Sequence, residues 1–399
     1  MEDKYIDLLL KRCLNFDKSN SLFISYDVIN KDFVDKLIIK AKSMGIDDIC
    51  VDCEDINTTV DKLKNLTEKE IEKDIYFDKS IWDTYAKKNA SFLMLETEFP
   101  GFLDDVDPKK ITKMKEINKK TRELFRQKES KMEISWTIAA LPNKYWADDV
   151  FKNEKDSYIR LFNTIMSICM VDKENPIKSW NEYLSKVKQL SKKMDNLRIK
   201  TMHYKNSLGT DLIVKLPEDV IWNSAASEGG MLVNMPSYEI FTSPNYLETE
   251  GIVYNSKPLI YGGGLIDKFY IRFKKGKVID FNAEVGYEIL KGIIEYDNNS
   301  CYLGEVALVE YNSPISNTGL VFKTTLIDEN ASCHLALGDG FGEAIKNGLK
   351  MTKEELLEKG INQSKQHVDF MIGTSDLEIT ALTDTGEILL FKDGNFNIN

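Results

Sequence analysis

Near residue 195 the spacing of apolar segments changes, and that change constrains the fold more than any other feature of the chain. Before it, short apolar runs, SLFISYDV (21–28), IDDICVDC (46–53), SFLMLET (91–97) and MEISWTIAA (132–140), are separated by stretches long enough to hold a helix. One of these, NKDFVDKLIIKAKSMG (30–45), has helical periodicity and ends on Gly45, a residue suited to a helix stop. Strands joined through helices favour a parallel sheet, because antiparallel neighbours need only a short turn. After residue 195 hairpins replace crossovers: 200–216, 269–283 and 377–396 each set a Gly-bearing turn between alternating segments. The chain is therefore expected to form an α/β domain with a largely parallel sheet over residues 1–195. An α+β domain rich in antiparallel strands is expected over 196–399, with the polar helix 178–197 as the connection. YGGG (261–264) is not a phosphate loop, since no Gly-Lys-Ser/Thr follows it, and close backbone packing accounts for it better.

Charge narrows the partners. With 53 Lys and Arg against 64 Asp and Glu, the net charge is −11, which argues against a general phosphate-binding surface and so against nucleic acid. The basic segment 107–131 does not change this. Its apolar residues Ile111, Met114, Ile117, Leu124 and Phe125 fall at helical spacing, so its lysines read as a solvated face. No stretch approaches the roughly 18 apolar residues of a membrane span, and the first residues lack the basic and apolar regions of a secretory signal. A cytoplasmic protein with reduced thiols is the expectation. Cys50 and Cys53 form a C-x-x-C, but no second Cys or His pair lies nearby to complete a zinc site. DDICVDCED reads as a buried strand instead.

The chain has three histidines. His203, in TMHYKN, has no acidic neighbour in sequence and reads as a surface or structural residue. His367 and Asp369 are two residues apart in HVDFMIG, so on a strand both side chains point to one face. His334 follows Asp328 and Glu329 in DENASCH. Imidazole beside carboxylate suits zinc, cobalt or manganese, and an oxygen-rich mixture suits a two-metal hydrolytic site. Hydrogen-bonded structural histidines fit the same spacings, since H-x-D is a weak motif.

Four segments in order, NMPSYEIFTSP (234–244), LGEVALV (303–309), TLIDENASCHLALGDGF (325–341) and NQSKQHVDFMIG (362–373), resemble the motif set of the thermophilic-aminopeptidase-T family, the M29 metallo-aminopeptidases. The first half is similar in its strand–helix–strand pattern, so the resemblance covers essentially the full chain. It implies a metal site of Glu239, Glu305, His334, His367 and Asp369, with Glu329 as a further ligand to a second metal. It also implies a cofactor of two divalent ions, among zinc, cobalt, manganese and magnesium. Without the family, Glu239, Glu305 and Glu329 would read as surface acids.

The implied activity is release of N-terminal residues from peptides through a metal-bound hydroxide, with Glu305 or Glu329 shuttling the proton. Peptides with a free amino terminus are the implied substrates, and a homodimer whose first domains cover the sites is the implied assembly. One position departs from the family: Phe341 stands where it carries a tyrosine, seven residues after the histidine of ASCH. A phenol there can donate to an oxyanion and phenylalanine cannot. One alternative follows from this departure, a catalytically weakened member that binds metal and peptide; a second, a metal-dependent hydrolase of another amide or a phosphoester, fits the same ligands and is disfavoured only by the motif match.

Overall fold

The structure is a computed structural model, which describes residues 1–14, 21–74, 76–152, 154–224 and 230–398. The amino-terminal stretch discussed above lies partly outside these. The chain divides into two compact units, Met1–Trp180 with Ala226–Pro236, and Asn181–Ala225 with Ser237–Asn399.

In the first unit, strands β1 (Ser21–Asp27), β2 (Asp48–Glu54), β3 (Ser91–Glu96) and β4 (Trp136–Ala140) pair in parallel. The sheet order is β2-β1-β3-β4-β8, where β8 (Asn234–Met235) is also parallel to its neighbour. This is the largely parallel sheet read from the spacing. Its last strand comes from beyond the expected boundary at residue 195, and two residues are too short for any periodic signal.

Helix Lys31–Ser43 follows β1 and buries Phe33, Val34, Leu37 and Ala41, one apolar stripe. Gly45 sits just past its end at φ +86°, a left-handed cap conformation that glycine adopts without a Cβ clash. The basic segment is helical, as two helices, Pro108–Thr121 and Glu123–Glu129, meeting at Arg122. Asp107 caps the first by accepting from the Lys109 amide at 2.9 Å, and Pro108 opens it.

Cys50 and Cys53 do lie on a strand, but β2 is the sheet edge, and Cys50 is half-buried while Cys53 is exposed. An edge strand lacks a neighbour on one side, so the expected burial does not follow from its apolar composition. Trp82 anchors this unit. Its ring is 1% exposed and packs on Phe23, Phe92 and Phe125 at centroid separations of 4.5, 5.6 and 5.4 Å, with the Arg122 guanidinium 4.6 Å from the ring and Nε1 donating to Asp52 at 3.0 Å. Trp82→Ala should therefore cost about 3–5 kcal/mol in denaturant unfolding of the protein; a loss below about 1 kcal/mol would mean that the cluster is not cohesive.

The second unit holds two antiparallel sheets. The larger comprises β5 (Thr201–Lys205), β6 (Asp211–Lys215), β10 (Thr249–Tyr254), β11 (Leu259–Tyr261), β12 (Gly264–Lys274), β13 (Lys277–Val285), β17 (Glu378–Thr383), β18 (Gly386–Lys392) and β19 (Asn395–Phe396). All three expected hairpins are in it. Gly262 and Gly263 of YGGG form the turn between β11 and β12 at φ +65° and +83°.

His203 has an acidic partner after all, Asp211 Oδ1 at 2.6 Å across the β5–β6 hairpin, a neighbour in space that the sequence places eight residues away. The helix read as a polar connection, Pro176–Leu197, belongs mostly to this unit: Tyr183, Val187, Leu190, Met194 and Leu197 recur at intervals of three and four and pack on its core. The smaller sheet runs β16 (His367–Met371), β15 (His334–Gly338), β14 (Leu303–Leu308), β9 (Ile240–Thr242), β7 (Asn223–Ser224). The fold class is α/β followed by antiparallel-rich α+β. Among the described residues no helix is long and apolar enough to cross a membrane.

Candidate metal centre

The smaller sheet sorts its side chains by parity. Register pairs Glu305 of β14 with Ala336 of β15, and Ala336 with Asp369 of β16, so these three form one row on one face. His334 lies two residues from Ala336, and His367 opposite Gly338, so both imidazoles share that face. Between them the central strand offers only a methyl group and a hydrogen, which leaves room for the longer side chains. Gly338 has a second reason to be glycine: at φ +104° an added Cβ would stand 2.1 Å from the Gln366 carbonyl oxygen. Val306, Leu335, Leu337, Val368 and Phe370 alternate onto the opposite face and enter the core.

Glu239, Glu305 and His334 bring one ligand atom each within 4.8 Å of one another, and so do Glu305, His367 and Asp369. Glu305 belongs to both groups. His334 Nε2 is 3.1 Å from Glu239 Oε2, while His367 Nε2 is 2.9 Å from Glu305 Oε2 and 3.0 Å from Asp369 Oδ1. The other ring nitrogens face main-chain carbonyls: His334 Nδ1 lies 3.2 Å from the Ser332 oxygen and His367 Nδ1 2.7 Å from the Asp339 oxygen. A carbonyl only accepts, so each Nδ1 carries the proton, and in the neutral ring Nε2 is left as an acceptor aimed at carboxylate acceptors. Such a convergence is attractive only with a proton or a cation at its centre. Donors that sit about 2.0–2.2 Å from one ion lie about 3 Å apart when they bind it at right angles, which matches the spacing observed. Cys50 and Cys53 belong to neither group.

The electrostatics agree. Glu305 is 4% exposed, and burial drives its carboxyl up to about 7 against the His367 hydrogen bond. Glu329 lies outside both donor groups, yet burial, then Asp369 and Glu239, push it well above the usual carboxylate range. Burial opposes charge on His334, but Glu239, Glu305 and Asp369 outweigh it and raise the imidazole to about 10. For His367 burial is likewise outweighed, first by Asp369. Burial also opposes charge on Asp369, but the facing imidazole of His367 holds the carboxyl below its ordinary value. These shifts describe a buried excess of carboxylate, four groups around two imidazoles, that calls for added positive charge.

Phe341 joins the same neighbourhood, its ring centroid 4.9 Å from that of His367 and 5.3 Å from that of Phe241. Its amide donates to Ser243 Oγ at 2.9 Å, which fixes the start of the turn that carries the ring. Ser243 falls in FTSP, where its residue type gives no signal of this role.

A sheet that gathers histidines and carboxylates onto one buried face, with matched donor spacings, has the construction of a metal-dependent hydrolase. The chain belongs to the M29 peptidase family: the family model described as thermophilic metalloprotease (M29) matches residues 2–396. It is 34% identical over 402 residues to aminopeptidase AmpS of Bacillus subtilis, an alignment covering 98% of this chain and 97% of that one. It is 30% identical over 390 residues to aminopeptidase T of Thermus thermophilus, covering 96% and 95%. The solved structure of wild-type AmpT from Thermus thermophilus superposes with a TM-score of 0.89 at 28% identity, covering 100% of this chain and 99% of that one.

Proposed function

We propose that the chain is a dinuclear aminopeptidase in which Glu239 and His334 hold one divalent cation, His367 and Asp369 hold the other, and Glu305 is shared. The observation that carries this reading is the membership of Glu305 in both donor groups. Beside bound cations, with both imidazoles neutral and all four carboxylates ionised, Glu239, Glu305, Glu329 and Asp369 would carry four negative charges, which two divalent ions would balance. When bound, the cations supply Lewis acidity toward the scissile carbonyl and toward water. Glu305 serves both donor groups, so Glu329 is the carboxylate assigned to carry the proton to the leaving nitrogen. Ser332 and Asp339 keep Nε2 of each histidine directed at the donors by holding the proton on Nδ1.

Substrates are peptides with a free amino terminus, in keeping with relatives that are aminopeptidases. Hydrolysis of leucinamide or methioninamide, after incubation with zinc, cobalt, manganese or magnesium, is the test; no turnover with any of the four would sink the reading. Acetylating the substrate removes both the charge and the lone pair of its amine, so N-acetyl peptides should be cleaved slower on the order of 10²-fold or more. Equal rates on free and acetylated peptides would point to an endopeptidase or a general amidase. A second reading, a member that binds metal and peptide with weakened turnover, is favoured by the phenyl ring of Phe341 beside His367, which offers no hydroxyl.

A further inference from the structure

Asn330 is fully buried in the turn between Glu329 and the strand that begins at His334. Its Oδ1 accepts from the Tyr238 amide at 2.6 Å, and its Nδ2 donates to Glu329 Oε1 at 3.3 Å and to the Leu326 carbonyl at 3.4 Å. Tyr238 immediately precedes Glu239. One side chain thus ties together two segments 92 residues apart in sequence, each of which carries a glutamate of the centre. Its two ends do opposite chemistry, accepting on one side and donating on the other, which an amide does and neither a carboxylate nor a hydrocarbon does.

We infer that Asn330 is a positioning residue that sets the separation of Glu239 and Glu329, and through it the affinity of the centre for metal; this rests on the two-metal reading above. The short bond to Tyr238 holds the main chain at Glu239, and the bond to Glu329 fixes the direction of that carboxyl. Groups of this kind, one step removed from the ion, change metal affinity by about 10–100-fold when lost.

The test is titration of chelated protein with manganese, followed calorimetrically, for the parent, Asn330→Ala and Asn143→Ala. Asn143 is a matched control in the first unit: it is 2% exposed, its Oδ1 accepts from the Trp146 amide at 2.9 Å, and its Nδ2 donates to Thr97 Oγ1 and the Glu98 carbonyl, both at 2.8 Å. Asn330→Ala should bind at least one ion about 10–100-fold more weakly, while Asn143→Ala keeps parental affinity even where its thermal transition falls as far. Parental affinity in Asn330→Ala, or an equal loss in Asn143→Ala, overturns the role.

Should the alanine variant not fold, Asn330→Asp keeps the acceptor for Tyr238 and removes the Nδ2 donor toward Glu329 and the Leu326 carbonyl. The visible spectrum of its cobalt form should differ from the parent's, and an identical spectrum overturns the role. A parent that takes up no divalent metal removes the two-metal reading itself, whereas a parent that binds metal and an Asn330→Ala variant that matches it remove only the assignment of Asn330.

Discussion

Glu305→Gln should lose both metal ions and almost all activity, with kcat/KM falling by at least about 10³-fold, equivalent to the several kcal/mol of charge stabilisation that a catalytic metal supplies. Each of the other donors serves a single group of ligands, but Glu305 serves two. Its loss therefore differs in kind: His334→Ala should weaken one ion more than the other, whereas Glu305→Gln should weaken both. Glutamine is nearly isosteric, and burial already raises the proton affinity of this carboxyl, so a neutral side chain is tolerated where the charged one is costly. The chelated variant should accordingly unfold at or above the temperature of the chelated parent. Elemental analysis of the variant after reconstitution decides the matter, because two ions retained at parental affinity would mean that Glu305 bridges nothing.

Phe341→Tyr should raise kcat/KM, on the order of 10²–10³-fold if an oxyanion donor is what the phenyl ring lacks. The ring is already held in place, by Phe241 on one side, His367 on the other and the amide bond to Ser243, so the change adds a single hydroxyl to a fixed frame. Metal content and the thermal transition should stay near parental values. If the parent is already fast and the tyrosine form is no faster, another donor stabilises the oxyanion. If both forms bind metal and neither turns over, the binding-protein reading gains.

The sheet architecture was legible because local spacing encodes it. Crossovers long enough for helices demand parallel pairing, and Gly-bearing turns two to five residues long demand hairpins. What local spacing does not encode is where a strand lies in its sheet or which distant segment joins it. Cys50 and Cys53 sit on a strand whose apolar residues suggested burial, but its edge position leaves it partly exposed. Asn234–Met235 adds a strand to the first unit from 94 positions after Ala140 (234 − 140), with only two residues to announce it.

The candidate site divides along the same line. His367 and Asp369 share a face by the period of one strand, so their partnership is written in the sequence. Glu305 gains meaning only from the register of β14 on β15, and Glu239 only from its place just before β9, and an isolated glutamate carries no mark of burial. Only the family motifs distinguished them from surface acids. Asp211 escaped notice as the partner of His203 for the same reason, since the contact depends on a hairpin register and not on adjacency in the chain.

The most direct measurement of the two-metal centre is the number of divalent ions bound per chain, by elemental analysis of protein stripped with a chelator, reconstituted with manganese or zinc, and passed over a desalting column. Two ions per chain, with activity lost on stripping and recovered in step with the second ion, is the expected result. One ion per chain at full activity, or full activity in the stripped protein, would contradict a centre in which Glu305 joins two cations.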